Sequence, residues 1–306
     1  MTDAARAPET GGVDATAVLM GVAFAAIWSS AFTSAKIAVA DAPPFLMLGV
    51  RFALSGLGAV LVALIAGQRF PRGRRTWILI GIFGLCQNSL YLGLNFLAMT
   101  TVPAGLAAII ASALPLVVAA MSAAALGERL PWIGLLGMAA GFGGVVLIMW
   151  GRITGGADPV GVGLCVAGLM ALGVATLVAR GASQGEGVLM VVGLQMLVGS
   201  ATLLPVGLAF ESVDDVNPTL SLGLAFAYTT IMPGLVATVI WFRLVRRIGA
   251  TAASSFHFLN PGLGVGVAAL VVGEAVGWID ALGVAIVTLG IAAVQIAKRL
   301  AAARTG

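Results

Sequence analysis

The chain has 306 residues, of which 60% are hydrophobic and 9% charged, and a formal net charge of +4. A soluble domain carries roughly 25% charged residues, and a soluble protein this apolar would expose aggregating patches, so the bilayer is its natural solvent. The basic residues fall in short clusters between apolar runs, which makes them topology signals and not a nucleic-acid face. Cys86 and Cys165 each lie inside an apolar run, which argues against a disulfide framework and against a metal site.

A transmembrane helix needs ~20 apolar residues. Residues 1–15 read as a polar cytoplasmic tail, and the long apolar run after them argues against a cleaved signal peptide. Ten spans are expected, at 16–37, 44–66, 77–98, 103–126, 131–150, 160–181, 187–209, 220–242, 250–272 and 278–297, followed by a cytoplasmic tail at 298–306. The longest connections, such as Gly67–Thr76 and Phe210–Thr219, have no room for a soluble catalytic domain. With the amino terminus in the cytoplasm, thirteen of the sixteen Lys and Arg residues fall on the cytoplasmic side. Lys36 and Arg152 fall outside and Arg51 lies within a span, so both termini are expected to be cytoplasmic.

The chain also repeats itself. Residues 102–148 align without gaps on 248–294 at an offset of 146, with twelve of 47 pairs identical. Pro115 meets Pro261, Gly127-Glu128 meets Gly273-Glu274, Trp132-Ile133 meets Trp278-Ile279, Gly137 meets Gly283 and Gly144 meets Gly290. Earlier in the chain an offset of 144 places Lys36 on Arg180, Gly49 on Gly193 and Arg51 on Gln195. Residues 16–150 and 151–297 thus read as two five-helix repeats. Five is odd, so the second repeat enters the membrane inverted. Two such halves around a central cavity are the architecture of alternating access.

These residues resemble the drug/metabolite transporter superfamily in its EamA-type branch. The resemblance rests on Trp28-Ser29-Ser30-Ala31-Phe32, on Arg51-Phe52, on Ala104 through Pro115 to Gly127-Glu128-Arg129, and on the second Gly273-Glu274. The second copy departs from the first, with Ala275-Val276 in place of Arg129-Leu130. The resemblance implies a ten-helix inner-membrane carrier, commonly an exporter of amino acids or other metabolites, similar in layout to exporters of aromatic amino acids of the YddG type.

Polar groups inside lipid are costly unless paired or facing a cavity. Asn88, Tyr91 and Asn95, beside Gln87, follow an i, i+3, i+7 spacing and share one face of an α-helix. Ser254, His257 and Asn260 recur every third residue before Pro261. Trp28, Ser29, Ser30 and Thr33 occur in the first span, and Tyr228, Thr229, Thr230 and Trp241 in the eighth. These are the candidate substrate-binding groups. Single Ser and Thr hydroxyls more often join helices to one another, and a lone histidine is ordinarily a satisfied core residue. Pro115, Pro233 and Pro261 free the carbonyls of Ala111, Thr229 and His257, which face a cavity or mark packing kinks. Arg51 either snorkels to the interface or meets a substrate carboxylate. Glu128 and Glu274 read as interfacial caps or gate residues.

No carboxylate lies mid-span, and there is no Walker A sequence, His-Glu-x-x-His motif or Gly-x-Ser-Gly motif. Asp214-Asp215 alone is too little for a metal-dependent transferase. The expected activity is secondary transport of a small zwitterionic or amphipathic solute. The alternatives are a drug or nucleotide-related metabolite carrier and, in another class, a membrane enzyme acting on a lipid-linked substrate. The partners implied are a small-molecule substrate and the bilayer, with no cofactor and no nucleic acid. The sequence fixes neither the substrate nor the oligomeric state.

Coupling yields the first prediction. His257 is the one histidine, and an imidazole titrates near neutral pH, yet burial favours its neutral form and makes it a weak obligatory proton carrier. A facilitator reading follows: in liposomes His257→Gln keeps downhill flux, and a pH gradient alone does not concentrate substrate. Proton-driven accumulation that His257→Gln abolishes would make His257 the proton carrier instead.

Overall fold

The computed structural model describes residues 15–126, 132–154, 156–182, 187–241, 243–244, 247, 256 and 259–303, and among these every regular element is helical. The helices are α1 (Ala15–Val39), α2 (Pro44–Ile65), α3 (Arg74–Ala98), α4 (Ala104–Ser112), α5 (Leu114–Leu126), α6 (Trp132–Thr154), α7 (Pro159–Ala182), α8 (Val188–Phe210), α9 (Leu220–Trp241), α10 (Asn260–Val272) and α11 (Trp278–Ala303). Seven helices are long and apolar enough to cross a membrane, with α4 and the start of α5 counted together as Ala104–Met121. The three remaining expected spans contain the apolar stretches Trp132–Ile148 of α6, Asn260–Val272 of α10 and Trp278–Val294 of α11. The ninth is shortened because most of 250–258 lies outside the described residues.

Proline and glycine punctuate the helices. Pro43 and Pro44 start α2, where the missing amide donor costs nothing. The fourth expected span breaks at Ala113, two residues before Pro115, which cannot donate to the Ala111 carbonyl. Gly273 closes α10 in the left-handed region at φ 70°, which a side chain would strain.

The most extensive packing joins α2 to α8 and α6 to α11. Each pair unites helices that the internal repeat makes equivalent. In the first, Gly207 lies against Leu46, Gly49 against Leu204, and Gly56 against Gly193 and Leu197. In the second, Gly137 meets the Gly290 carbonyl and Gly283 meets Ile148 and the Gly144 carbonyl. As residue numbers rise on one helix they fall on the other, so both pairs are antiparallel. Glycine permits this approach because no side chain separates the backbones. The Ser200 hydroxyl also donates to the Gly49 carbonyl at 2.9 Å, tying α8 to α2.

Buried side chains are mostly Ala, Leu, Ile and Val, centred on α4 and the helices around it. Leu61, Ile65, Trp150, Leu270 and Leu289 point outward, where a bilayer solvates them. The closest helix-to-helix approaches are therefore made at glycines against Leu and Ile side chains, while other large apolar residues face outward.

The glycine seam generates a stability test. A Cβ at Gly290 would lie 2.6 Å from the Gly137 carbonyl oxygen and from the Gly141 backbone, whereas one at Gly143 meets nothing within 4 Å. Gly290→Leu should destabilise the folded protein by at least about 1–3 kcal/mol, and Gly143→Leu should be neutral. Thermal denaturation in detergent reads both variants.

Candidate functional site

Two helices change pitch at equivalent places. α3 is π-helical over Gly84–Leu92 and α9 over Thr230–Val236, and these are the third spans of the two sequence repeats. A π segment widens the turn and is frequent at functional sites. In α9 the cause is visible in the sequence, since Pro233 cannot donate to Thr229. That carbonyl instead accepts a hydrogen bond of 2.8 Å from the Arg51 guanidinium.

Arg51 does not snorkel. It is 5% exposed, and its guanidinium carbon sits 5.2 Å from the centre of the Phe52 ring. Its Nε has no partner among the described groups. Close by, the hydroxyls of Ser30 and Tyr228 meet at 2.6 Å, joining α1 to α9. Ser29 donates to the Asn260 carbonyl at 3.5 Å, joining α1 to α10 just before Pro261. Trp28 stacks on Phe24 at 5.7 Å, and Phe24 meets Trp241 at 4.8 Å. Six candidates, Trp28, Ser29, Arg51, Tyr228, Trp241 and Asn260, therefore lie in contacts that link α1, α2, α9 and α10, with Trp241 twelve residues beyond Thr229 along α9.

The α3 candidates lie elsewhere. The π turn alters the spacing on which a common face for Asn88, Tyr91 and Asn95 was expected. Asn88 packs on Gly199 of α8 and donates to the Gln195 carbonyl at 2.8 Å. Asn95 packs on Gly168 of α7 and donates to the Tyr91 carbonyl at 2.8 Å. All three are buried, and Gln87 is half-buried. Ser89 and Thr202 join their hydroxyls between α3 and α8. His257 and Ser254 lie outside the described residues. Gln195 is the residue that motif reading passed over, although the repeat had already aligned it with Arg51. The two positions play related parts: Arg51 bonds the backbone of α9, and the backbone of Gln195 is bonded by α3.

Neither group of candidate residues borders the two described hollows. The larger, about 510 Å³, is an apolar groove lined by Met47, Val50, Leu204, Leu222 and Phe226 among others. The smaller, about 310 Å³, lies beside Pro43, Glu211 and Asp215.

One end of the bundle is laced by acidic groups. The Glu274 carboxylate accepts from the amides of Ala104 at 2.6 Å and Gly105 at 2.9 Å, capping α4 from the end of α10. Lys36 donates to the carbonyls of Met99 and Val102 just before that cap. Glu211, after α8, caps α2 through the amides of Phe45 and Leu46. At the opposite end Gln68, after α2, accepts from the Met190 amide at the start of α8. The equivalent helices α2 and α8 thus cap each other. Asp158 accepts from Thr101, Val160 and Gly161, and these bonds hold its carboxyl below the usual carboxylate range. Glu128, the counterpart of Glu274, lies outside the described residues.

The EamA-like transporter family matches residues 15–150 and 159–295. The uncharacterized transporter YvbV of Bacillus subtilis is 26% identical over 77% of this chain and 77% of its own. The uncharacterized inner membrane transporter YedA of Escherichia coli is 26% identical over 92% of each chain. A solved crystal structure superposes with a TM-score of 0.68 at 22% identity, covering 93% of this chain and 99% of its own, which shows a shared fold.

The Glu274 cap is open to direct measurement. Glu274→Ala strips two amides at the start of α4 of their acceptor and should cost about 1–2 kcal/mol of stability. Glu274→Gln, which keeps one acceptor oxygen, should lose less. Equal losses in thermal denaturation would show that the carboxylate does not act as the cap.

Proposed function

The chain belongs to the EamA-like transporter family, and we propose that it is a secondary carrier exporting amino acids, including aromatic ones, by alternating access. The chain is a multi-pass membrane protein, and its relatives bear the names of transporters. In the proposed architecture seven long helices and three shorter apolar ones make ten spans, arranged as repeats 16–150 and 151–297. The arginine-rich end, with Arg69, Arg72, Arg74 and Arg75, faces the cytoplasm, as do both termini.

One observation carries this reading: repeat-equivalent helices meet antiparallel at paired glycines, α2 with α8 and α6 with α11. Equivalent helices running in opposite directions are what two inverted halves produce. Such halves can exchange conformations, and each exchange turns a central site toward the other face. The substrate site is the junction of α1, α2, α9 and α10. It combines an aromatic wall of Trp28, Phe24 and Trp241 with the hydroxyls of Ser30 and Tyr228 and the cation of Arg51. An apolar wall with a few placed polar groups suits an amphipathic solute.

The decisive experiment uses purified protein in liposomes with labelled amino acids and preloaded unlabelled solute. Counterflow of aromatic amino acids is expected to exceed that of charged ones, and Trp28→Ala should reduce it about tenfold or more while the protein still inserts. Counterflow confined to nucleotides or to cationic drugs would transfer the assignment to another branch of substrates.

A further inference from the structure

Arg51 poses an electrostatic problem. A cation inside a membrane protein is ordinarily paired with an acidic group or reaches the interface. Arg51 does neither: it is 5% exposed, and among the described residues no carboxylate bonds it. Its compensation is one neutral carbonyl, that of Thr229, and the face of Phe52. Its Nε donates to nothing described. A guanidinium has five donors in a planar fork suited to bidentate bonds with a carboxylate, and most of that capacity is unspent.

A glycine borders the edge of the fork that Thr229 holds. Gly234 lies in the π segment, and a Cβ there would sit 3.5 Å from an Arg51 terminal nitrogen and 3.2 Å from the Thr229 oxygen. Glycine leaves the space that any side chain would take. The Thr229 carbonyl, available because Pro233 cannot donate to it, holds one edge of the guanidinium and orients the rest. A purely structural staple would need the hydrogen bond alone. It would not need a permanent positive charge without a counter-ion.

We propose that Arg51 is the anchor for an anionic group of the transported solute, a carboxylate, which supplies the missing counter-charge when the site is loaded. This rests on the transporter reading above and deepens it, since it assigns the solute's chemical class and the atom that reads it. Bidentate pairing of guanidinium with carboxylate is the geometry that best distinguishes an acid from its neutral amide. Opening of the site therefore exposes a bare cation, and closure over an acid neutralises it. Closure over an uncharged solute leaves the cation buried without a partner, which disfavours carrying the wrong cargo.

The test measures the unfolding midpoint of the purified protein with matched pairs: L-phenylalanine and L-phenylalaninamide, L-leucine and L-leucinamide, benzoate and benzamide. At least one acid should raise the midpoint while its amide does not. Arg51→Gln should weaken that acid's apparent affinity about ten- to a hundredfold, the range of a charge-assisted hydrogen bond. Arg51→Lys should recover part of it. Gly234→Val, which keeps Arg51 but fills the flank, should also abolish the effect, and it serves if Arg51→Gln does not fold. The proposal is overturned if the amides act as well as the acids, if no acid acts, or if the acid effect survives both Arg51→Gln and Gly234→Val. The transporter reading falls separately, if wild-type protein in liposomes carries no member of the panel.

Discussion

Backbone closeness governs this molecule. In lipid the hydrophobic effect no longer drives helix to helix, and association depends on packing and hydrogen bonds. The seams of α2 with α8 and α6 with α11 supply the packing through glycines whose missing side chains let carbonyls and Cα atoms touch. Much of the remaining architecture depends on those seams. They align the helix ends so that Glu211 reaches the start of α2 and Gln68 reaches the start of α8. They also leave α3 and α9 beside these pairs, where the Asn88 and Arg51 cross-links form.

The sequence makes much of this fold legible because the bilayer enforces a length and a composition. Apolar runs near 20 residues could be marked directly, and gap-free matches such as Gly137 with Gly283 and Gly144 with Gly290 exposed the repeat. Those same four glycines make up the α6–α11 seam. The pitch of a helix was not legible. Residues 84–92 have the composition of an α-helix and no proline, so nothing local announces their π turn. The wider turn packs against α7 and α8, where Asn88 meets Gly199 and Asn95 meets Gly168, although α-helical spacing places the two on one face.

Site chemistry divides along similar lines. Pro233 predicts a freed Thr229 carbonyl, and Arg51 reads as either interfacial or facing a substrate carboxylate; the structure unites the carbonyl and the guanidinium in one hydrogen bond. A sequence names the orphan acceptor and the buried donor, but only the approach of α2 to α9 brings them together. The caps made by Glu211 and Gln68 were equally invisible, because a capping side chain borrowed from a distant helix has no spacing rule. Glu274 was legible in type, as a cap at a span end, and its partners Ala104 and Gly105 required the fold.

The paired π segments carry a mechanical consequence. Each holds surplus length within a helix, and α9 is capped at its start by Thr219. In an α-helix one residue corresponds to about 100° of rotation. If the surplus residue migrates along the helix, the side chains it passes rotate by about that angle while the termini stay fixed. α3 and α9 can thus reorient Asn88, Tyr91, Tyr228 and Thr229 by a travelling defect, a screw motion that requires no tilting of the bundle.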